Sequence, residues 1–319
     1  MSFILLIIGF ALLIKGADVF VDSSASIAKR FNVPSMIIGL TIVAMGTSAP
    51  EAAISVTSSL AGLNDMSIAN VVGSNFFNIL VVLGVSSILA KLPVQNSTVK
   101  KDTPFLILIS ALLLIFALDF KLGRIEGIVF LGLFAYFLYY AIKSAKNSIS
   151  NNNELDIENG SSTSELAIDE SYSMPKTLIH CIIGVISIVV GGDVVVDSAS
   201  TIAANFGMSA NLVGLTIVAV GTSLPEFVTS IVAIKKGETD IAIGNVIGSN
   251  IFNILLVLGL AATINPMGVT LVSLIDIIFM VLITILLFVM IRKDNSLVKK
   301  QGIILVVIYV IYMAYTIIR

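Results

Sequence analysis

One histidine and one cysteine, His180 and Cys181, stand side by side, and the chain holds no second copy of either. That excludes an internal disulfide, a multi-Cys/His zinc site and a thiol relay, and both residues are read as packing positions. Charge is equally scarce. Only 12% of residues are Asp, Glu, Lys or Arg, half of the roughly 25% found in a soluble domain, while 57% are hydrophobic and mean hydropathy is +1.06. A soluble enzyme is excluded on that composition. Eighteen basic and 20 acidic residues leave a net charge of −2, so there is no basic footprint for nucleic acid. The opening stretch, MSFILLIIGFALLIKGADVF, lacks a basic leading region and a small-residue cleavage site, and is read as a first membrane span.

What fills the chain instead is a series of apolar runs, at 3–27, 35–60, 68–90, 104–120, 125–142, 177–203, 210–234, 241–264, 269–291 and 302–318. Most exceed the roughly 20 residues needed to cross a bilayer core, and they are continuous rather than alternating, which argues for helices over a barrel. One long polar stretch interrupts them, with NSISNNNELDIENGSSTSELAIDES at its heart. Its Asn, Ser and Glu bias leaves too little apolar surface to offset ordering entropy, so it reads as a solvated linker. Its acids, Glu154, Asp156, Glu158, Glu165, Asp169 and Glu170, have no Ca²⁺-loop spacing.

The two halves repeat each other. GLTIVAMGTSAPE at 39–51 returns as GLTIVAVGTSLPE at 214–226, and NVVGSNFFNILVVLG at 70–84 returns as NVIGSNIFNILLVLG at 245–259. The offset is 175 residues in both, and it holds again for GADVFVDSSASIAKRF at 16–31 against GGDVVVDSASTIAANF at 191–206. Five runs per copy is an odd number, so the second copy starts from the opposite side of the membrane. The expected fold is therefore an all-α integral membrane protein of ten transmembrane helices in two inverted five-helix repeats, residues 1–143 and 175–319, joined by the 144–174 linker. Loop charge orients it: with the N-terminus outside, 14 Lys and Arg fall in cytoplasmic loops and three outside. Both termini are then extracellular and the linker cytoplasmic.

Inside this apolar sequence lie two acids, Glu51 of GTSAPE and Glu226 of GTSLPE, with no Lys or Arg in either motif. A carboxylate at such depth costs on the order of 2.5–3.5 kcal/mol, which makes it a candidate functional group in need of a partner. Pro50 and Pro225 supply no N–H and push against the carbonyls of Gly46 and Gly221, freeing backbone oxygen at membrane depth. Thr47, Ser48, Thr222 and Ser223 add hydroxyls within a turn of each acid. Ser74 with Asn78, and Ser249 with Asn253, share helix faces at i,i+4. Two carboxylates, two amide carbonyls, hydroxyls and freed carbonyls form an all-oxygen set of charge −2, suited to a hard cation such as Ca²⁺ or Na⁺ and not to a soft metal. Asp18, Asp22, Asp193 and Asp197 also recur; helix-interface polarity or a Lys15–Asp18 contact explains them, with an ion vestibule as the alternative.

GTSxPE followed by GSNxFN, twice, resembles the paired alpha-repeats of the sodium/calcium exchangers in the cation/calcium antiporter superfamily, most closely the prokaryotic type without a regulatory domain. The resemblance implies a Ca²⁺ site at Glu51 and Glu226 with the backbone oxygens of Thr47 and Thr222. It also implies Na⁺ ligation by Ala44, Thr47, Ser48, Ser74, Ala219, Thr222, Ser223 and Ser249, with Asn78 and Asn253 at the centre. It further implies a secondary antiporter rather than an enzyme, exchanging Na⁺ for Ca²⁺ by alternating access, with a 3:1 ratio. Ca²⁺/H⁺ antiport through the same glutamates is the alternative within transport; a cation channel or an intramembrane enzyme would need a lined pore or a catalytic constellation. The expected partners are Ca²⁺, Na⁺ and membrane lipid, in the plasma membrane, with no nucleic acid, no obligatory protein partner and no cofactor beyond the transported ions.

Overall fold

The computed structural model of the protein describes residues 1–62, 64–158, 174–208 and 219–318. Apolar sequence with few turn residues winds into helix, since only a helix closes every backbone hydrogen bond within one segment when water is absent. The first part comprises α1 (Ser2–Arg30), α2 (Ser35–Thr47), α3 (Ala49–Leu60), α4 (Met66–Leu89), α5 (Thr103–Ala117) and α6 (Arg124–Glu158). The second comprises α7 (Met174–Asn205), a single turn Ala219–Gly221, α8 (Leu224–Lys235), α9 (Thr239–Ile264), α10 (Leu271–Arg292) and α11 (Lys299–Ile318).

Among the described residues, seven helices are long and apolar enough to span a membrane, and α2 with α3, bent by 48°, makes an eighth. The expected count was ten. Of the two others, α5 has 15 residues, and 210–218 of the seventh expected span lie outside the described residues. Likewise α6 continues to Glu158, so the expected 144–174 linker begins as helix, and its residues 159–173 lie outside the described ones.

The 175-residue repeat seen in the motifs extends to the backbone. Left-handed conformations occur at Asn32 (φ 51°) and Gly207 (φ 85°), Gly62 (φ 76°) and Gly237 (φ 80°), and Phe120 (φ 60°) and Asn295 (φ 45°), each pair separated by that offset. Gly62 and Gly237 follow the ends of α3 and α8, where a glycine closes a helix at little steric cost. Among the described residues, four two-residue strands qualify the all-helical expectation. β1 (Leu92–Pro93) pairs antiparallel with β4 (Ser296–Leu297), and β2 (Lys121–Leu122) with β3 (Met267–Gly268). Leu92 faces Leu297 as Met267 faces Leu122, so the two ribbons match under the same offset. Runs this short carry no period-2 signal, which is why sequence alone did not reveal them.

Burial separates a centre from a periphery. In α9, 94% of the apolar window is buried, and in α4 78%, against 33% for α1 and α7 and 11% for α11. One large apolar cluster unites α4, α5, α9 and α10. A second, around Leu13, Ala17, Phe20, Ile188 and Val195, belongs to α1 and α7 and the surfaces they pack on. The outward faces of α1 and α7 carry Phe3, Ile4, Ile7, Ile182 and Ile186, all exposed as a lipid-facing surface requires. This is a multi-pass membrane protein.

α1 and α7 approach closely because glycines line their seam. A Cβ on Gly191 would meet the Leu13 amide nitrogen at 2.7 Å and the Gly9 carbonyl oxygen at 2.9 Å; one on Gly184 would meet the Phe20 nitrogen at 2.9 Å. Past its midpoint α1 is tied to the residue following α8. Lys236 Nζ lies 2.7 Å from an oxygen of Asp18 and 2.7 Å from one of Asp22, and it donates to the Asp18 carbonyl at 3.1 Å. The ion-pair partner of Asp18 is thus Lys236 from the other half of the chain rather than Lys15, because α1 packs along α8 and brings the two together.

Replacing Gly191 by Val forces backbone from backbone, and purified protein melts several degrees lower. Gly132→Ala, with nothing within 4 Å of the new methyl, leaves the transition within about 2 °C, since exposed helix gains at most about 1 kcal/mol from the change. Equal melting of both variants refutes the glycine seam.

A candidate ion-binding site at two helix breaks

Each GTSxPE motif breaks its helix at the serine. Ser48 (φ −83°, ψ 7°) separates α2 from α3, and Ser223 (φ −93°, ψ 7°) precedes α8. Proline explains the position: Pro50 and Pro225 occupy the first turns of α3 and α8, where a missing N–H costs nothing, and they leave the Gly46 and Gly221 carbonyls without their usual helical donor. Glu51 and Glu226 follow in the same first turns, at the positive ends of the helix dipoles. Both are completely buried. The backbone resolves the two breaks differently, with the Ser48 N–H on the Ala44 carbonyl at 3.0 Å and the Ser223 N–H on the Val220 carbonyl at 3.2 Å.

The breaks face each other across the repeat. The Ser48 hydroxyl donates to Glu226 Oε1 at 3.0 Å, and the Ser223 hydroxyl donates to Glu51 Oε1 at 3.3 Å, so each serine serves the opposite acid. From α4, the Ser74 hydroxyl also reaches Glu51 Oε1 at 3.4 Å. Thr47 donates to Asn245 Oδ1 at 3.0 Å, and its hydroxyl lies 3.4 Å from that of Ser249 on α9. Asn78 donates to Asn250 Oδ1 and Asn253 to Asn75 Oδ1, each at 3.1 Å. Ala44 and Thr47 lie fully buried in the last turn of α2, and Thr222 is buried at the second break. Ala219 opens the short helical turn before that break. Of the twelve residues named from the sequence, hydrogen-bond contacts thus join Ser48 to Glu226, Ser223 and Ser74 to Glu51, and Thr47 to Ser249, while Asn78 and Asn253 bond to asparagines of the opposite half.

What remains unpaired defines the chemistry. Glu51 Oε2, Glu226 Oε2, Asn78 Oδ1 and Asn253 Oδ1 are all buried and make no hydrogen bond among the described residues. A buried acceptor without a donor costs about 1–3 kcal/mol, more when charged, so four related by the repeat form a demand for positive charge. Two cations are spent elsewhere: Lys29 pairs with Glu238, and Lys236 with Asp18 and Asp22. No cluster of three His, Cys, Asp or Glu side chains occurs among the described residues. The donor set is thus two carboxylates supplemented by neutral oxygens, hard in character and flexible in geometry.

The family profile described as "Sodium/calcium exchanger protein" matches residues 1–143 and 176–318. The chain belongs to the sodium/calcium exchanger family. It is 30% identical over 342 residues to the sodium/calcium exchanger MaX1 of Methanosarcina acetivorans, covering 98% of this chain and 97% of that one. It is 42% identical over 265 residues to the putative antiporter CaxA of Alkalimonas amylolytica, covering 82% and 81%. Among solved structures, the exchanger NCX_Mj soaked with Na⁺ and Ca²⁺ superimposes with a TM-score of 0.83 at 30% identity, covering 98% of this chain and 97% of that one. This exchanger is accordingly a transporter of the antiporter type and not an enzyme.

Four further asparagines, not among the twelve, brace these segments. Asn70 donates to the Glu51 carbonyl (3.3 Å) and to Ser55 (3.0 Å), and Asn245 donates to the Glu226 carbonyl (3.3 Å) and to Ser230 (3.1 Å). These braces hold each acid's own backbone against the next helix. Asn75 and Asn250 anchor the central amides. All four asparagines sit inside the repeated blocks, at the same 175-residue offset, and that recurrence of buried amides was the available signal.

Asn245→Leu removes a fully buried brace and strands three partners, Thr47, Ser230 and the Glu226 carbonyl. Its unfolding free energy falls by about 1–3 kcal/mol, read as a lower melting temperature, and Asn70→Leu, at a half-buried position, loses less. A reversed order refutes the bracing role.

Proposed function

We propose that this exchanger extrudes Ca²⁺ across the plasma membrane in exchange for entering Na⁺, and that both ions compete for the site between the two breaks. The observation that carries this reading is the set of four buried, donor-less oxygens on Glu51, Glu226, Asn78 and Asn253. Two carboxylates neutralise one Ca²⁺ or two Na⁺, and hydroxyls and break carbonyls of Thr47, Ser48, Ser74, Thr222, Ser223, Ser249, Ala44 and Ala219 complete the shells. Shared ligands make occupancy exclusive, and exclusive occupancy is what coupling requires. A 3:1 ratio moves one net charge per cycle, worth about 2.3 kcal/mol per 100 mV.

Two inverted five-helix repeats, 1–143 and 175–319, with a cytoplasmic 144–174 linker and external termini, suit alternating access around a fixed central site. Support comes from the two ribbons: β1 with β4 joins loops assigned to the cytoplasm by charge, and β2 with β3 joins loops assigned to the outside. The separate apolar cluster and glycine seam of α1 and α7 support their moving as one body against the core. Spin-label distances between α1 and α9 that stay constant across Na⁺ and Ca²⁺ conditions refute that motion.

A second reading, Ca²⁺/H⁺ antiport, draws on the same atoms, because a proton on Glu51 Oε2 or Glu226 Oε2 equally relieves a donor-less oxygen. Reconstituted vesicles separate the two. Radioactive Ca²⁺ uptake is expected to follow an outward Na⁺ gradient and to ignore a pH gradient imposed without Na⁺; the opposite pattern assigns H⁺ coupling. Glu51→Gln and Glu226→Gln each lower uptake at least about a hundredfold, since removing one partner of a buried charged site costs on the order of 3–5 kcal/mol. Uptake persisting in both variants removes the site assignment.

A further inference from the structure

An asparagine side chain presents an acceptor at one end of its amide and a donor at the other. At a cation site only the oxygen end serves; the NH₂ end repels. Something must therefore decide which end Asn78 and Asn253 turn inward.

Asn75, on α4 and 1% exposed, lies against two groups that can only accept. Its Nδ2 is 3.5 Å from the Asn250 backbone carbonyl and 3.5 Å from the thioether sulfur of Met280 on α10. Those neighbours require the NH₂ of Asn75 on that side, so its Oδ1 faces the other way, toward Asn253. Asn253 answers with its own NH₂ at 3.1 Å, and its Oδ1 is left buried with no donor. The order is backbone carbonyl, Asn75 amide, Asn253 amide, site: two amide dipoles aligned head to tail, each reinforcing the next. The opposite arm repeats the last link, with Asn78 donating to Asn250 Oδ1 at 3.1 Å and its own Oδ1 buried without a donor. The anchor is absent there, because Asn250 Nδ2 makes no hydrogen bond among the described residues.

We propose that Asn75 and Asn250 are positioning residues that fix the carbonyl ends of Asn253 and Asn78 toward the transported ion, and that the Asn75 arm is the more firmly set. The inference rests on the ion-site reading above and adds to it the residues that orient the two central ligands without touching the ion. It links the halves crosswise, since Asn75 of the first repeat sets Asn253 of the second and Asn250 sets Asn78.

The test compares Asn75→Leu with Asn75→Asp, both near the native volume, by equilibrium binding of radioactive Ca²⁺ to purified full-length protein. Leucine removes the acceptor that holds Asn253. Aspartate keeps it, and in the protonated form its hydroxyl donates to the Asn250 carbonyl as the amide did. Positioning makes N75D bind Ca²⁺ at least about fivefold more tightly than N75L, whereas pure packing favours leucine over a buried acid. Asn253→Ala supplies the second axis: N75L in that background weakens binding no further, because its effect runs through the missing amide. Binding by N75L equal to wild type, N75D as weak as N75L, or multiplicative losses in the double variant overturn the proposal. Unchanged binding in N253A alone overturns the ion-site reading itself and this inference with it. If N75L yields no folded protein, N250L against N250D, with N78A as background, decides by the same criteria.

Discussion

Two carboxyl groups sealed in an apolar interior, with no basic partner among the described residues, set the terms for the rest of the molecule. Such groups are tolerable only where the surrounding chain offers hydrogen-bond donors and leaves room for a mobile positive charge. The proline breaks place Glu51 and Glu226 at helix N-termini, where the dipole favours a negative group. The serines at the breaks supply one donor to each acid from the opposite half. Asn70 and Asn245 then fasten each acid's backbone to its neighbour. Every one of these contacts stops short of full compensation, leaving Glu51 Oε2 and Glu226 Oε2 without a donor among the described residues.

The near-symmetry of the two halves suits the proposed alternating access, since a site reached in turn from two faces needs equivalent walls on both. It is not complete, and the departures are informative. Ser48 closes its turn on Ala44 while Ser223 closes on Val220, so the two breaks offer different carbonyls. Lys236 grips Asp18 and Asp22 in the second half of α1, but the matching position in the first half is Ala61, and Asp193 and Asp197 stand exposed without that lysine. One face of the exchanger thus carries an electrostatic tie between α1 and the core that the other lacks. Exposed pairs of this kind contribute modestly, up to about 1 kcal/mol, which still suffices to tilt a two-state equilibrium severalfold.

Much of the candidate site was readable in the linear chain, because the features that announce it are violations of local expectation. Glutamate and proline inside apolar runs, repeated at one spacing, have no structural excuse in a membrane helix, and the serines and asparagines within a turn of them share the same surfaces. Asn75, Asn250, Asn70 and Asn245 were not singled out, because a buried amide bonded to another amide looks in sequence like any polar residue at a helix contact. The Lys236 bridge was equally hidden: Lys15 lies three residues from Asp18 along one helix, and nothing local signals that a lysine 218 positions away is the true partner.

Composition, run length and duplication determined by themselves that the chain lives in a membrane as helices, that it holds two related halves, and which acids lie stranded within them. These properties depend on solvent exclusion and on backbone hydrogen bonding, both of which act through local sequence. Tertiary structure alone decided that the halves interlock crosswise, that each serine serves the other half's acid, and that Glu51 Oε2, Glu226 Oε2, Asn78 Oδ1 and Asn253 Oδ1 are among the oxygens left unpaired. Those outcomes arise from contacts between segments some 175 residues apart, where helix approach, governed by glycine seams and side-chain volume, selects which donors arrive and which acceptors are left without one.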